Sequence, residues 1–539
     1  MEVDRIYRLE PQMVYTGTPL FYIIRPDIEA LTQIANHIQA DVEREQHSYS
    51  VVFLPRKLAT SEYVLEKEGA YGFVKVHEWK LYLIPLDAHF LSLDLHDSFK
   101  TLYLDREFTM LHSIARSLLQ LEEIYGTFPT VHGCGDYAQK VWEMFARLKE
   151  LQNIRPTVSK MKGGPSITDV VIFDRQCDLT TPLLSQLTYE GILDDVFHIR
   201  SGYVEIPRMV SEKDQDSKVR VNSTDPVFEE IRSLHFSAVP NVLFAISRDL
   251  RETYHVGKSS STIPQLKSFV QRLPELTKKH DSLAIHIKVS ETIVGKKRDE
   301  EFSRQLFFER AILEAADKHP VTEYIEECIQ RQMNFRIPLR LICLMSTTNN
   351  GIKPKYFDLL KQLYLHSYGH EHLITFRNLL RTGLIQHKND DPASASLSAR
   401  SVSTFRQLTK LLKLVPKDPG SYNVYAPKDM SYVYGGAYKP LSCAAIESIV
   451  RNRGWKEFDE VRSWGQPQFT HHQAMSARLE TQRAIQDRKV VLVYFIGGCT
   501  FSEINALRFL GEMNGSKYSY VIATTNIIGP GKLIDSLVG

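Results

Sequence analysis

The sequence predicts an α/β fold with a largely helical insertion. Short apolar runs of strand length alternate with amphipathic helical patterns near the start of the chain, which implies parallel strands covered by helices. From about Asp225 to Ile385 helical spacing takes over. Strand signals return at Val490–Ile496 and Tyr518–Ala523. A helical block flanked by α/β segments implies an insertion into one α/β domain made from two separate parts of the chain. The length of 539 residues fits about three to four domains.

The elements follow in order. Leu20–Ile24, Val51–Leu54 and Leu81–Ile84 are apolar runs, each closed by a proline at or just beyond its end (Pro26, Pro55 and Pro85). Ile28, Leu31, Ile34, Ala35 and Ile38 recur at helical spacing after the first run. Leu111, Ile114, Leu118 and Leu121 share one face of a helix over 110–125, and a second helix covers about 136–151. The turn-rich stretch 161–166 reads as a domain boundary, and Val170–Phe173 opens a further α/β unit. Residues 386–404 are serine-rich and read as a surface loop. Leu283, Ile285, Ile287 and Val289 alternate, which by period alone reads as a strand.

Composition narrows the function classes. Hydrophobic residues make up 43% and charged residues 24%, as in globular proteins, and the net charge is +2. That balance gives no global pull toward nucleic acid or an anionic membrane. The longest strongly apolar run, Val490–Ile496, is too short to cross a bilayer. Met1–Asp4 opens no signal-peptide pattern. Cys134, Cys177, Cys328, Cys343, Cys443 and Cys499 form no C-x-x-C pair and read as reduced thiols of a cytosolic protein.

Candidate chemistry is sparse. Gly529-Pro530-Gly531-Lys532 and Gly257-Lys258-Ser259 lack the spacing of a phosphate loop. His366, His370 and His372 cluster, but Gly369 ends the helix between them, so no metal site is assigned. Asp174 and Asp178 flank Arg175 after a strand. They could hold a cation or do acid–base work, and the favoured reading is that Arg175 pairs with both and fixes the loop. Thr181 then reads as an N-cap, with Pro182 at the first helical position. Gly497-Gly498 precedes Thr500-x-x-Glu503, a capping box that explains the turn without a ligand. Cys499 reads as structural. No catalytic residue and no cofactor are assigned, which points to an interaction protein. The alternative is an enzyme binding a nucleotide or sugar phosphate at Gly497-Gly498 or Asp174.

Three segments carry a resemblance: residues 170–182 continuing through Gln186–Gly191, residues 269–274, and residues 496–504. In this order they resemble the Sec/Munc (SM) family, syntaxin-binding regulators of membrane fusion. Residues 64–72, 431–438 and 501–511 resemble its vacuolar protein sorting thirty-three branch, in the B form. The resemblance implies a three-domain arch with two parallel-sheet α/β domains. Domain 1 spans 1–160 and lacks its N-terminal strand. Domain 2 is split into 161–224 and 425–539 around a mostly helical domain 3 at 225–424. The resemblance also turns Leu283–Val289 from strand to helix. Asp174, Arg175, Asp178, Pro182, Gly497, Gly498, Thr500 and Glu503 become the structural family motif.

The resemblance further implies SNARE binding without enzymatic activity, at a helical hairpin over about 257–310. Ile263, Leu266, Phe269, Val270 and Leu273 form an apolar stripe there, a pattern that more often marks core. Pro274 interrupts the helix. Lys278 and Lys279 steer an acidic partner, because residues 257–310 hold eleven Lys and Arg against seven Asp and Glu. A VIPAR-type Vps-sixteen-like subunit docks at Lys361, His370 and Leu373. The A form carries an aromatic residue where this chain has His370. Other class C tethering subunits complete the partners. The implied location is cytoplasmic, peripheral on late endosomes, lysosomes and recycling endosomes through partners, with no nucleic acid bound.

Overall fold

The structure, a computed structural model, describes the chain apart from residues 1–5, 8, 10–18, 43–47, 153–165, 208–216, 259–262, 298–299, 316–317, 389–403, 418–421, 461–463, 465, 474–487 and 514. The expected boundary at 161–166 and the serine-rich stretch lie almost wholly outside the described residues. Among those described, the strands are β1 (Leu20–Ile24), β2 (Tyr49–Phe53), β3 (Val74–Glu78), β4 (Ile84–Asp87), β5 (Phe90–Ser92), β6 (Thr130–Cys134), β7 (Ile167–Asp174), β8 (Tyr203–Ile206), β9 (Ser217–Arg220), β10 (Gln468–His472), β11 (Lys489–Ile496) and β12 (Tyr518–Thr524).

The chain divides into two compact units, Met1–Ile84 and Pro85–Gly539. In the first, β1, β2 and β3 form a parallel sheet in that order. Tyr22, Val51 and Phe53 point from one face into a core with Leu31, Ile34 and Ile38 of the helix Ile28–Val42. The three- and four-residue spacing of those helical side chains is what closes that core.

In the second unit a seven-stranded sheet runs β10-β6-β7-β11-β12-β5-β4. The neighbours from β6 to β5 are parallel, and β10 is antiparallel on the edge. The central β11, Val490–Ile496, is buried along its length, as expected of a parallel strand covered on both faces. β4 corrects the expected strand Leu81–Ile84. It starts at Ile84 and contains Pro85, which is tolerated because β4 is an edge strand. β5 and β6, expected in a separate domain over 1–160, hydrogen-bond to β12 and β7 of the shared sheet.

Between β9 and β10 the described residues are mostly helical, with the α-helices Pro226–Ile231, Val239–Lys258, Ile263–Lys297, Glu300–Leu313, Lys318–Gln330, Arg336–Asn349, Pro354–Tyr368, His372–Arg381, Thr404–Leu412 and Leu441–Asn452. Leu283–Val289 lies inside the long helix Ile263–Lys297. From 282 to 293 the buried positions are Ser282, Leu283, His286, Val289, Ser290 and Ile293, spaced one, three or four apart. That is one helical face, and half of it is polar, which is why the apolar pattern alone misread it.

Candidate functional site

Three regions hold the residues singled out in the sequence. The first is a buried ion cluster at the C-terminal ends of β7 and β11. The Arg175 side chain is fully buried there. Its Nη1 donates to both carboxylate oxygens of Glu503, at 2.8 and 2.9 Å, and its Nε donates to the Asp178 carbonyl at 2.8 Å. Its Nη2 lies 3.2 Å from Asp178 Oδ2. Burial opposes the guanidinium charge, but Glu503 and Asp178 outweigh it, and its pKa lies above the ordinary value.

Each carboxylate also takes neutral donors. Asp178 accepts from the Thr180, Thr181 and Ser442 N–H groups and, at 2.5 Å, from the Thr181 hydroxyl. Glu503 accepts from the Thr500 N–H at 2.8 Å and from the Ser442 hydroxyl. Thr500 Oγ1 in turn accepts from the Glu503 N–H at 3.1 Å, so the capping box forms as expected and starts the helix Phe501–Glu512.

Asp174 is the exception to the expected pairing. It meets no cation in this cluster and instead accepts from the Tyr103 hydroxyl at 2.5 Å and from the Gln176 and Tyr137 N–H groups, each at 3.0 Å. Burial pushes its carboxyl up against those donors. Thr181 is not the N-cap either. Its hydroxyl is taken by Asp178, and with Pro182 it lies within the short helical turn Thr181–Leu183. The next helix, Tyr189–Phe197, is capped by Thr188.

The Gly497-Gly498 turn is packed with protein. Both residues have positive φ, +87° and +105°. A Cβ on Gly497 would sit 2.6 Å from the Tyr103 ring, and one on Gly498 would sit 2.6 Å from Ile528. The glycines leave that space to the Tyr103 and Ile528 side chains. Burial pushes the Cys499 thiol up, as expected of a structural cysteine.

The second region is the pair of helices Val239–Lys258 and Ile263–Lys297. They pack together with the Tyr254 and Phe269 rings 6.2 Å apart. Leu266 and Val270 are 50% and 55% exposed, and Leu273 is also exposed. Leu266, Val270 and Leu273 are therefore surface and Phe269 is partly covered, while the side chain of Ile263 lies outside the described residues. The helix runs unbroken through Pro274, which corrects the expected interruption. Pro274 lies on the exposed side, where water can serve the carbonyl left without an amide partner.

Lys278 and Lys279 also differ from expectation. Lys278 Nζ donates to the Thr224 carbonyl at 3.0 Å, and Lys279 pairs with Glu230 at 2.8 Å. Both are used in holding the long helix to the segment 224–230. Deeper in that contact is a set the sequence did not single out. His286 is buried, with Nδ1 2.8 Å from the Tyr189 hydroxyl and Nε2 3.5 Å from Asp225 Oδ2. Asp225 also accepts from Ser282 and caps the helix Pro226–Ile231. Phe244, 72% exposed on the neighbouring helix, was likewise missed. It falls off the buried face of Val239, Leu243, Ile246 and Leu250, and that offset was the available signal.

The positions expected to dock a tethering subunit lie around the turn after the helix Pro354–Tyr368, which Gly369 ends at φ +114°. Leu373 is 45% exposed, Ile374 and His370 are exposed, and Lys361 is half-buried. His372 turns inward against Tyr364 and Phe335, away from its two neighbouring histidines in role.

The Sec1 family model matches residues 1–536. Vacuolar protein sorting-associated protein 33B of Homo sapiens is 37% identical over 562 residues, covering 99% of this chain and 89% of that protein. Vacuolar protein sorting-associated protein 33A of Rattus norvegicus is 32% identical over 554 residues, covering 100% and 90%. The SM protein Vps45, solved in complex with the Qa SNARE Tlg2, superposes with a TM-score of 0.61 at 15% identity, covering 98% of this chain and 88% of that one. The Unc18–syntaxin 1 complex from Monosiga brevicollis gives 0.58 at 15% identity, covering 96% and 87%.

Proposed function

The chain belongs to the Sec1 family, and on that premise we propose that it is a vesicle-trafficking regulator that binds SNARE proteins. The observation that carries the reading is the exposed stripe Leu266, Val270 and Leu273 on a 35-residue helix. An amphipathic helix of a partner can lay its apolar face along such a stripe. Basic residues around it favour encounter with an acidic partner, a rate effect that salt weakens. The ion cluster at Arg175 keeps a structural role, holding the sheet end from which the helix carrying Tyr189 departs. The chain's task in this reading is binding, without a catalytic step. No feature of the packed Gly497-Gly498 turn favours the phosphate-enzyme alternative.

The same reading places the chain in a class C tethering complex on late endosomes, lysosomes and recycling endosomes. A VIPAR-type Vps-sixteen-like subunit docks at Lys361, His370 and Leu373 in this account, and other class C subunits join through it. The exposed side chains of Leu373 and Ile374 support that placement. Among the described residues no helix is long and apolar enough to cross a membrane, so membrane association is assigned to partners. The test is co-precipitation of the purified chain with Qa SNAREs and with the VIPAR-type subunit. Failure to retain any SNARE would remove the first assignment, and failure to retain that subunit would remove the second.

A further inference from the structure

Cys134 and Cys177 are far apart in sequence, yet their sulfurs lie 3.1 Å from each other. The fold makes that contact. Cys134 is the last residue of β6 and is paired in register with Phe173 of β7, while Cys177 closes the helical turn that follows β7. Both are free thiols. A disulfide bond is about 2.05 Å long, so closing the gap needs about 1 Å of movement shared between two side chains. Each half is held by its surroundings. The Cys177 carbonyl accepts from the Trp464 indole N–H at 3.1 Å, and the Gly135 N–H beside Cys134 donates to the Pro467 carbonyl at 2.8 Å. Those two bonds fix the backbone on either side of the sulfur pair.

We propose that Cys134 and Cys177 are a redox modification site, a thiol pair that a small peroxide converts reversibly to a disulfide. The exposures assign the order of events. Cys177 is 6% exposed and Cys134 is 0% exposed, so Cys177 meets the oxidant first. Its sulfur attacks hydrogen peroxide, the O–O bond breaks, and Cys177 becomes a sulfenic acid with release of one water. The Cys134 sulfur then attacks the Cys177 sulfur, the S–O bond breaks, and a second water leaves as the disulfide forms. Both thiol protons end in the waters, and two electrons pass to the peroxide. Burial and the neighbouring Cys134 push the Cys177 thiol up, so the reaction is slow and needs sustained peroxide. The product ties the end of β6 to the turn that carries Arg175.

The test uses the full chain treated with hydrogen peroxide, quenched, unfolded and alkylated. Exposed Met513 serves as an internal measure of dose through its sulfoxide. The expected result is a fall from six alkylatable thiols to four, restored by dithiothreitol. Tryptic peptides 117–140 and 176–200 should be recovered joined and two hydrogens lighter than their sum. In Cys134→Ser, Cys177 should run on to sulfinic acid, because nothing intercepts the sulfenic acid. Six thiols retained once Met513 is fully oxidised would overturn the proposal. So would recovery of Cys177 as sulfinic acid from the wild-type chain with Cys134 still free. The wild-type peptides decide the matter even if the serine variant fails to fold.

Discussion

Replacing Arg175 with methionine removes the one cation of the buried cluster while keeping much of its volume. The side chains of Asp178 and Glu503 are fully buried, and each would lose its ion pair. Glu503 would keep the Thr500 and Ser442 donors, and Asp178 the Thr180, Thr181 and Ser442 donors. Those neutral bonds do not cancel two buried negative charges with Ser442 between them. Breaking one buried pair costs about 3–5 kcal/mol, and the loss of a shared cation belongs at the upper end of that range. Arg175→Met should therefore melt well below the parent. Thermal unfolding followed by tryptophan fluorescence reads the loss, since Trp464 bonds to the Cys177 carbonyl beside the cluster. A melting temperature equal to the parent's would show that the neutral donors alone satisfy both carboxylates.

Other outcomes follow from the same contacts. Gly498→Ala should lose about 2–4 kcal/mol, because a positive φ and the Ile528 side chain both oppose a Cβ; denaturant unfolding with no loss would show that the turn relaxes freely. Burial raises the pKa of Asp225, but the His286 imidazole, the Phe228 N–H and the Ser282 hydroxyl outweigh it and hold its carboxyl at about 2. Its stabilisation is complete above its ordinary value of 3.8 and is lost as pH falls toward 2. Asp225→Asn should therefore lose less stability than the parent across that window, and parallel acid-unfolding curves would contradict this. Leu373→Lys should abolish capture of the VIPAR-type subunit with a melting temperature near the parent's, since its side chain is already half in water. A large fall in melting temperature would identify it as core.

Local signals were the most legible in the sequence. Thr500 and Glu503 are three residues apart, and their capping box could be read without knowing the fold. The apolar run of β11 announced a strand covered on both faces. Partners distant in sequence could not be read this way. Arg175 and Glu503 are 328 residues apart, so the choice of Glu503 over Asp174 came only from the way β7 and β11 pair. Sequence also could not say which side of the hairpin faces water. Leu266, Val270 and Leu273 look like core by spacing, whereas the face that is buried includes Ser282, His286 and Ser290. Lys278 and Lys279 read as free charges because their partners, Thr224 and Glu230, lie on a segment about fifty residues earlier. Pro274 misled for a related reason, since a proline at an exposed helix position costs less than one whose neighbours are buried.

The central claim is that the exposed stripe of the long helix takes a SNARE. The direct measurement is titration of the full chain with a purified Qa SNARE, comparing the parent with Leu266→Glu/Val270→Glu. Both side chains are half exposed, so the double variant should keep the parent's melting temperature. The parent should bind, and the variant's affinity should fall at least about tenfold, the equivalent of about 1.4 kcal/mol. Equal affinity of the two folded proteins for the SNARE would contradict it.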